Sequence, residues 1–443
     1  MSGFIVEGNH KLSGAIRIAG NKNEALPLIA AALICIKPVI FENMPDIGDV
    51  QTMLAIARSL GADVSKIVNG QCSFNASSIS TSSLPVELSS KIRGSILFAS
   101  ALLVRTGWAQ IPQPGGDTIG RRRIDTHFLV FKALGATLKI KRTASKTDSL
   151  QTTFYLEAKQ GLTGATIYLD EASVTATENA LIAAAGARGT TQIQNAASEP
   201  HVQGLCRFLE KMGVKIQGTG SNVLTIQGIH SFKPTHHRIG PDYIEAGSFI
   251  GLAAATRSEL EIANVDMAVM RMILFQFKNI GVRVEEDPKR RLLRVSGRQK
   301  LAIRKDFGNA VPKIEDNPWP GFPADLMSII LVTATQSRGT CLVHEKMFES
   351  RLFFVDKLIS MGAQIVLCDP HRALIVGPTQ LFGASISSPD IRAGMALLIA
   401  ALAAKGKSTI QNISQIDRGY YRIDERLIAL GARITRISDR RKT

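Results

Sequence analysis

Between Pro114 and His127 the chain reads Pro-Gly-Gly-Asp-Thr-Ile-Gly-Arg-Arg-Arg-Ile-Asp-Thr-His, a concentration of reactive groups that few other stretches approach. Gly115, Gly116 and Gly120 permit backbone conformations closed to other residues, and Arg121, Arg122 and Arg123 offer planar forks suited to phosphate or carboxylate oxygens. With the Asp117 carboxylate among them, these residues predict a mobile lid over 112–124 that handles anions. The same composition, taken alone, also describes a solvated surface loop.

Other polar residues stand where apolar helices are expected to begin. Lys22 and Asn23 precede the first, Arg93 opens the second, Asp325 the fifth, and Asp390 with Arg392 the sixth, while Arg418 follows a later strand. A helix N-terminus presents free N–H groups and partial positive charge to an anion, although any one of these residues could equally be a cap or a surface ion pair.

The elements that must position these groups emerge from comparing the chain with itself. Leu60-Gly-Ala-Asp-Val64, Leu134-Gly-Ala-Thr-Leu138, Met212-Gly-Val-Lys-Ile216, Ile280-Gly-Val-Arg-Val284, Met361-Gly-Ala-Gln-Ile365 and Leu430-Gly-Ala-Arg-Ile434 recur roughly every 70 to 80 residues, which marks six repeats. In each, an amphipathic helix is expected to stop at the glycine in a left-handed cap and an alternating strand to follow. Ahead of each lies a helix rich in small apolar residues, such as Thr177 to Ala187 or Glu245 to Ala255, that runs into a β-branched strand. A helix apolar nearly all round must be buried, so helices should lie inside and sheets outside. Three repeats per domain give two similar halves, 22–240 carrying the lid and 1–21 with 241–443. A site in the cleft between domains is the default expectation. Ile18 to Asn21 and Thr235 to Pro241 are expected as linkers, the second an exposed crossing.

Composition bounds the rest. The 443 residues exceed one ordinary core, and 45% hydrophobic with 20% charged residues describes a globular protein. A net charge of +16 favours anionic ligands without choosing among them. Five scattered cysteines, with no CxxC pair and no nearby histidine at ligand spacing, predict reduced, mostly buried thiols and no metal site. The longest apolar run, Leu26 to Ile36, is too short to span a bilayer and the N-terminus lacks a signal-peptide pattern, so a cytoplasmic protein without membrane insertion is expected.

Read together, Gly20-Asn-Lys-Asn23, Pro114-Gly-Gly-x-Thr-Ile-Gly120 with Arg122 and His127, Phe322-Pro-x-Asp325, Phe348-Glu-x-Arg351, Asp390-x-Arg392 and Asp417-Arg-Gly-Tyr420 resemble the UDP-N-acetylglucosamine enolpyruvyl transferase family over essentially the full chain. The Asp-Lys-Ser opening and Asn-Ala-Gly-Thr loop of the related 5-enolpyruvylshikimate-3-phosphate synthases are absent. The resemblance implies a two-domain inside-out α/β barrel fold of six repeats. It also implies transfer of the enolpyruvyl group of phosphoenolpyruvate to the sugar 3-hydroxyl, the first committed step of peptidoglycan synthesis, without a cofactor. Lys22, Arg122 and Arg418 would grip phosphoenolpyruvate, supported by Arg93 and Arg392, with Asp325 taking the hydroxyl proton. Asn23, Arg122, Arg123, Asp125, His127, Ser173, Val174, Thr175, Met347 and Asp390 would complete the substrate contacts.

Three departures from the family pattern stand out. Asp117 occupies the lid position where most relatives carry a cysteine that donates a proton and is alkylated by the epoxide fosfomycin. A carboxylate is a poorer nucleophile toward an epoxide yet can still deliver a proton, which predicts an active, fosfomycin-insensitive enzyme. Glu171 stands where a lysine is usual, so Arg121 and Arg123 would have to hold the diphosphate, and Tyr243 stands where many relatives carry arginine. Two other readings compete: a paralogue with another nucleotide or sugar acceptor, and a basic nucleic-acid-binding protein, for which no stacking motif or basic helix is present. A monomer or weak homo-oligomer is expected.

Overall fold

Helices whose side chains leave no polar face organise this chain. The computed structural model describes residues 2–117, 119–120, 122–144 and 150–437. The chain divides into two units: Gly20–Asp117 with Arg122–Gly240, and Met1–Ala19 with Thr118–Arg121 and Pro241–Thr443. The first contains the apolar helices Lys22–Ala32, Phe98–Thr106 and Val174–Ala185, and the second Tyr243–Ala255, Met327–Ala334 and Ile391–Ala403. Every residue of Tyr243–Ala255 and of Met327–Ala334 is buried. Close approach of these two depends on small residues. A Cβ on Gly247 or Gly251 would stand 2.6 Å from the side chain of Leu326 or Ile329, respectively.

Sheets cover the helices. Each unit carries three, five of them four-stranded and one three-stranded, and their strands alternate buried and exposed positions, as in Glu259–Ala263. All six sheets are open, so the helices are enclosed without any closed barrel among the described residues. The outer helices Gly48–Ser59, Asp125–Ala133, Pro200–Lys211, Met267–Asn279, Val355–Ser360 and Ile423–Ala429 complete the repeats. Each outer helix ends at the expected glycine. Gly61, Gly135, Gly213, Gly281, Gly362 and Gly431 have φ between 89° and 105°, a region costly for residues with a Cβ.

A second device appears at the end of the central strand in four repeats. Asn43, Asn195, Asn264 and Asn412 adopt positive φ, between 56° and 65°. Each donates its side-chain Nδ2 to the carbonyl at the end of the neighbouring parallel strand, Ile239, Leu169, Ile18 and Ser388 respectively, at 2.8 to 2.9 Å. Asparagine suits the role because it tolerates the left-handed region and carries a donor.

The boundaries between the units, after Ala19 and after Gly240, fall inside the two segments expected as linkers, and both segments are hydrogen-bonded rather than loose. Thr235–Arg238 is a strand parallel to Val39–Glu42, and its alternation turns His237 inward, 3% exposed, with Nε2 2.9 Å from Glu24 Oε1. A run of His-His-Arg looked exposed only because its period of two was hidden in four residues. At the other crossing, the Ala19 N–H donates to Glu245 Oε2 at 2.7 Å and the Asn21 N–H to the Gly240 carbonyl at 2.8 Å. Four of the five cysteines are buried and Cys368 is exposed. No helix among the described residues is long and apolar enough to cross a membrane.

Candidate active site

The candidate residues fall into two groups, one in each unit. In the Gly20–Gly240 unit, Asn21 caps the first buried helix by accepting from the Glu24 N–H at 3.0 Å, which places Lys22 and half-buried Asn23 in its first turn. Lys22 is 8% exposed and its Nζ donates to Asp49 Oδ2 at 3.1 Å. Pairing of this kind offsets the cost of enclosing a lysine.

The first half of the predicted lid rests on the segment Ser89 to Arg93. The Gly115 N–H donates to the Ser89 carbonyl at 3.1 Å, and a Cβ on Gly115 would stand 1.7 Å from the Ser90 carbonyl oxygen. Gly116, at φ 109°, would meet the Cβ of Arg93 at 3.0 Å and Arg122 Nη1 at 3.3 Å if it had a Cβ, so this glycine lets backbone lie directly against the base of Arg93 and the Arg122 guanidinium. Arg93 turns its Nη2 to the carbonyls of Arg122 and Arg123, at 2.9 and 2.5 Å, and so holds the basic run from behind. Its burial, reinforced by the charge of Arg122, lowers its pKa to about 10, which leaves it a cation at neutral pH. Asp117 follows directly, half-buried. Thr118 and Arg121 lie outside the described residues.

Arg123 is bound to carboxylates: Nη2 to Asp170 Oδ2 at 2.6 Å, Nε to Asp125 Oδ2 at 3.3 Å, and Nη1 3.9 Å from Glu171 Oε2. Thr126 donates to the other oxygen of Asp170 at 2.8 Å. His127 is wholly enclosed, with Nδ1 2.8 Å from Asn179 Nδ2 and Nε2 3.2 Å from Thr175 Oγ1. Burial, with help from the Arg93 charge, pulls its pKa down to about 3, so the ring is neutral. Asn179 Nδ2 also donates to the Ile96 carbonyl, which makes Nδ1 the acceptor and leaves Nε2–H to donate to Thr175. Ser173 caps the Val174–Ala185 helix, so Val174 and Thr175 occupy its half-buried first turn.

In the other unit, Asp325 sits at the head of the Met327–Ala334 helix with its side chain 27% exposed. Its Oδ1 accepts from Arg351 Nη2 at 3.2 Å and its Oδ2 from Arg392 Nε at 3.2 Å. Both arginine side chains are about 95% enclosed and both lie over aromatic rings, Arg351 over Phe348 at 5.0 Å and Arg392 over Tyr420 at 5.4 Å. Asp390 caps the Ile391–Ala403 helix by accepting from the N–H groups of Arg392 and Ala393, at 2.8 and 2.9 Å, which fixes where Arg392 begins. Arg418 ends the short helix Ser414–Asp417 and donates to Gln415 Oε1 at 2.7 Å; Met347 is exposed. The carbonyl of Ile119 accepts from the Ser350 N–H at 3.2 Å, beside Gly120 and Glu349.

Sequence reasoning passed over Asp49, Asp170 and Asn179, which hold Lys22, Arg123 and His127, and over Glu345 and Asp316 behind Arg351. Only Asp49, acidic in a first helical turn, left a local signal, and that signal reads as a cap. No group of three or more candidate metal ligands occurs among the described residues.

This arrangement of two three-sheet units around buried helices is that of enolpyruvyl transferases: the enolpyruvyl transferase NikO from Streptomyces tendae superposes with a TM-score of 0.82 at 25% identity, covering 98% of each chain. The EPSP synthase (3-phosphoshikimate 1-carboxyvinyltransferase) family model matches residues 6–427. The UDP-N-acetylglucosamine 1-carboxyvinyltransferase of Bradyrhizobium diazoefficiens is 54% identical over 99% of both chains. That of Treponema denticola is 52% identical over 98% of this chain and 99% of its own. The chain belongs to the UDP-N-acetylglucosamine 1-carboxyvinyltransferase family.

Proposed function

We infer that the protein transfers the enolpyruvyl group of phosphoenolpyruvate to the 3-hydroxyl of UDP-N-acetylglucosamine and releases phosphate, the first committed step of peptidoglycan synthesis, in the cytoplasm. The observation that carries this reading is the full-length identity of 52% and 54% to named 1-carboxyvinyltransferases. The residue types agree with it. Phosphoenolpyruvate is small and densely anionic, and Lys22, Arg122 and Arg418 are the cations assigned to its phosphate and carboxylate, with Arg93 and Arg392 behind them.

Asp117 delivers a proton to C3 of phosphoenolpyruvate, and C2 becomes electrophilic. The sugar 3-oxygen adds to C2 as Asp325 accepts its proton, giving a tetrahedral ketal. Loss of a proton from C3 and departure of phosphate then give the enolpyruvyl ether. Asp325 suits its part because Arg351 and Arg392 fix both of its oxygens while the carboxylate remains partly accessible. On the acceptor side, Ser173, Val174 and Thr175 offer a helix N-terminus, and His127 acts through Thr175 from its enclosed position. Asn23, Arg123, Asp125, Met347 and Asp390 complete the assignment. Arg123 reaches the diphosphate only by sharing its guanidinium with Asp170 and Asp125.

With a carboxylate in place of a thiol at position 117, fosfomycin has no strong nucleophile to alkylate, and turnover continues in its presence. Purified protein given both substrates releases phosphate stoichiometrically with enolpyruvyl product, with or without fosfomycin. Absence of phosphate release at micromolar enzyme would refute the activity, and time-dependent inactivation would refute the insensitivity.

A further inference from the structure

The fifth repeat breaks the asparagine device. In the four repeats that keep it, the residue after the central strand donates to the carbonyl after the neighbouring parallel strand. The register Glu315 opposite His344 puts Asp316 and Glu345 at those same two positions. Both are fully enclosed. Asp316 is used locally, accepting from the Lys346 and Met347 N–H groups at 2.5 and 3.3 Å. Glu345 is not: neither of its carboxyl oxygens has a hydrogen-bond partner, although its backbone is bracketed by His371, whose carbonyl accepts the Glu345 N–H at 2.8 Å and whose Nδ1 lies 2.7 Å from the Glu345 carbonyl. Its Oε2 points instead at Arg351 Nε, 3.7 Å away, which itself lacks a hydrogen-bond acceptor. An asparagine with a satisfied amide has been exchanged for an enclosed carboxyl group whose nearest cation is Arg351, a direct ligand of Asp325.

We propose that Glu345 is a positioning residue for the Asp325 carboxylate, acting through the Arg351 guanidinium that lies between them. A guanidinium is a rigid plane, so the contact at Nε sets the direction in which Nη2 meets Asp325 Oδ1. Phe348 covers one face of that plane, and Glu345 is the group at its Nε edge. Arg392 fixes the other oxygen of Asp325 independently, so loss of Glu345 leaves the carboxylate bound but free to roll about Oδ2. Burial pushes the Glu345 pKa up to about 9, opposed by the Arg351 charge and assisted by Asp316, so near neutral pH the side chain beside Arg351 is uncharged.

The proposal rests on the assignment of Asp325 as proton acceptor, and the wild-type assay separates the two: without phosphate release from wild type, it is the activity that fails. In an active preparation, Glu345→Leu is expected to keep or raise Tm, because an enclosed acid without hydrogen bonds is removed, while kcat falls about tenfold or more at little-changed KM for either substrate. Glu345→Gln, which retains an uncharged side chain of the same length, is expected to stay within threefold of wild type. Should Glu345→Leu fail to fold, Glu345→Asn, which restores the solution of the other repeats but is too short to reach Arg351, is expected to show the same fall in kcat. A kcat within threefold of wild type for folded Leu or Asn variants, or a Gln variant as impaired as these, would overturn the proposal.

Discussion

Four repeats turn the corner after their central strand on a left-handed asparagine, and two do not. The two exceptions carry Gln113 and Glu345 at that position, followed by the loop with Asp117 and Arg122 and by the segment leading to Arg351. The four are alike because one amide solves a local problem: it satisfies a carbonyl at the end of a parallel strand and accepts the strained φ. Where the chain must instead hold charged groups, that solution is abandoned. Departures from a molecule's own internal rule therefore mark its chemistry as clearly as any motif.

The sharpest way to break this comparison is to remove the groups that the exceptional repeats support. Asp325→Asn and Asp117→Ala are each expected to lower kcat by about 10² to 10⁴, the range of general acid–base catalysis, with folding intact by circular dichroism. Phosphate release under saturating substrates measures it. Asp117→Cys is expected to keep turning over and to acquire time-dependent inactivation by fosfomycin, with one covalent adduct seen by mass spectrometry; no adduct would detach the insensitivity from position 117.

A pH experiment separates the Asp316–Glu345 position from its asparagine counterparts. With its pKa raised to about 9 when folded, Glu345 holds a proton in the native state that the unfolded chain releases above its ordinary value. Native stability is therefore expected to decline as pH rises from about 5 toward 9, more steeply in wild type than in Glu345→Leu. Asp316, Arg351 and Asp325 are the charged neighbours that shape this window. Parallel Tm curves across it would refute the assignment.

Asn264→Ala, at an ordinary repeat, is expected to cost about 2 kcal/mol of stability, from a carbonyl left unsatisfied and a strained φ, while kcat is unchanged. Denaturant titration beside the phosphate assay tests both halves. The smallest effect is expected at Gly135→Ala, where a Cβ meets nothing within 4 Å and only the φ of 94° is unfavourable, at about 1 kcal/mol. Gly281→Ala should exceed it, because the backbone of Ala302 stands 2.2 Å from the added atom.

Much of this was legible in the sequence because it is periodic. Six Gly-hydrophobic signatures announced the left-handed caps, and the apolar composition around Ala246 and Ile330 announced enclosed helices. Asp390 and Arg392 stand at a helix start as expected, and Asp390 is its cap. What stayed hidden depends on partners distant in sequence. The Asp316–Glu345 pairing exists only through parallel strand register, and Asp49 looks like a cap until Lys22 is seen beside it. Thr235–Arg238 was too short to reveal its alternation, so an inward histidine passed for part of a linker. Nothing near Arg123 in sequence announces that Asp170 holds it.

The matched bonds at the two crossings have a topological consequence. Ala19 and Asp242 are hydrogen-bonded neighbours, the Asp242 N–H donating to the Ala19 carbonyl at 2.9 Å, and Asn21 and Gly240 are joined in the same sense at 2.8 Å. Apart from Thr118–Arg121, which belongs with the other unit, the stretch from Gly20 to Gly240 is thus a parenthesis in the chain whose opening and closing residues are bonded together. A stretch whose ends are already stapled together can be gained whole by a host without that host being cut apart, which is the geometry a duplicated gene segment would need in order to settle inside its own copy.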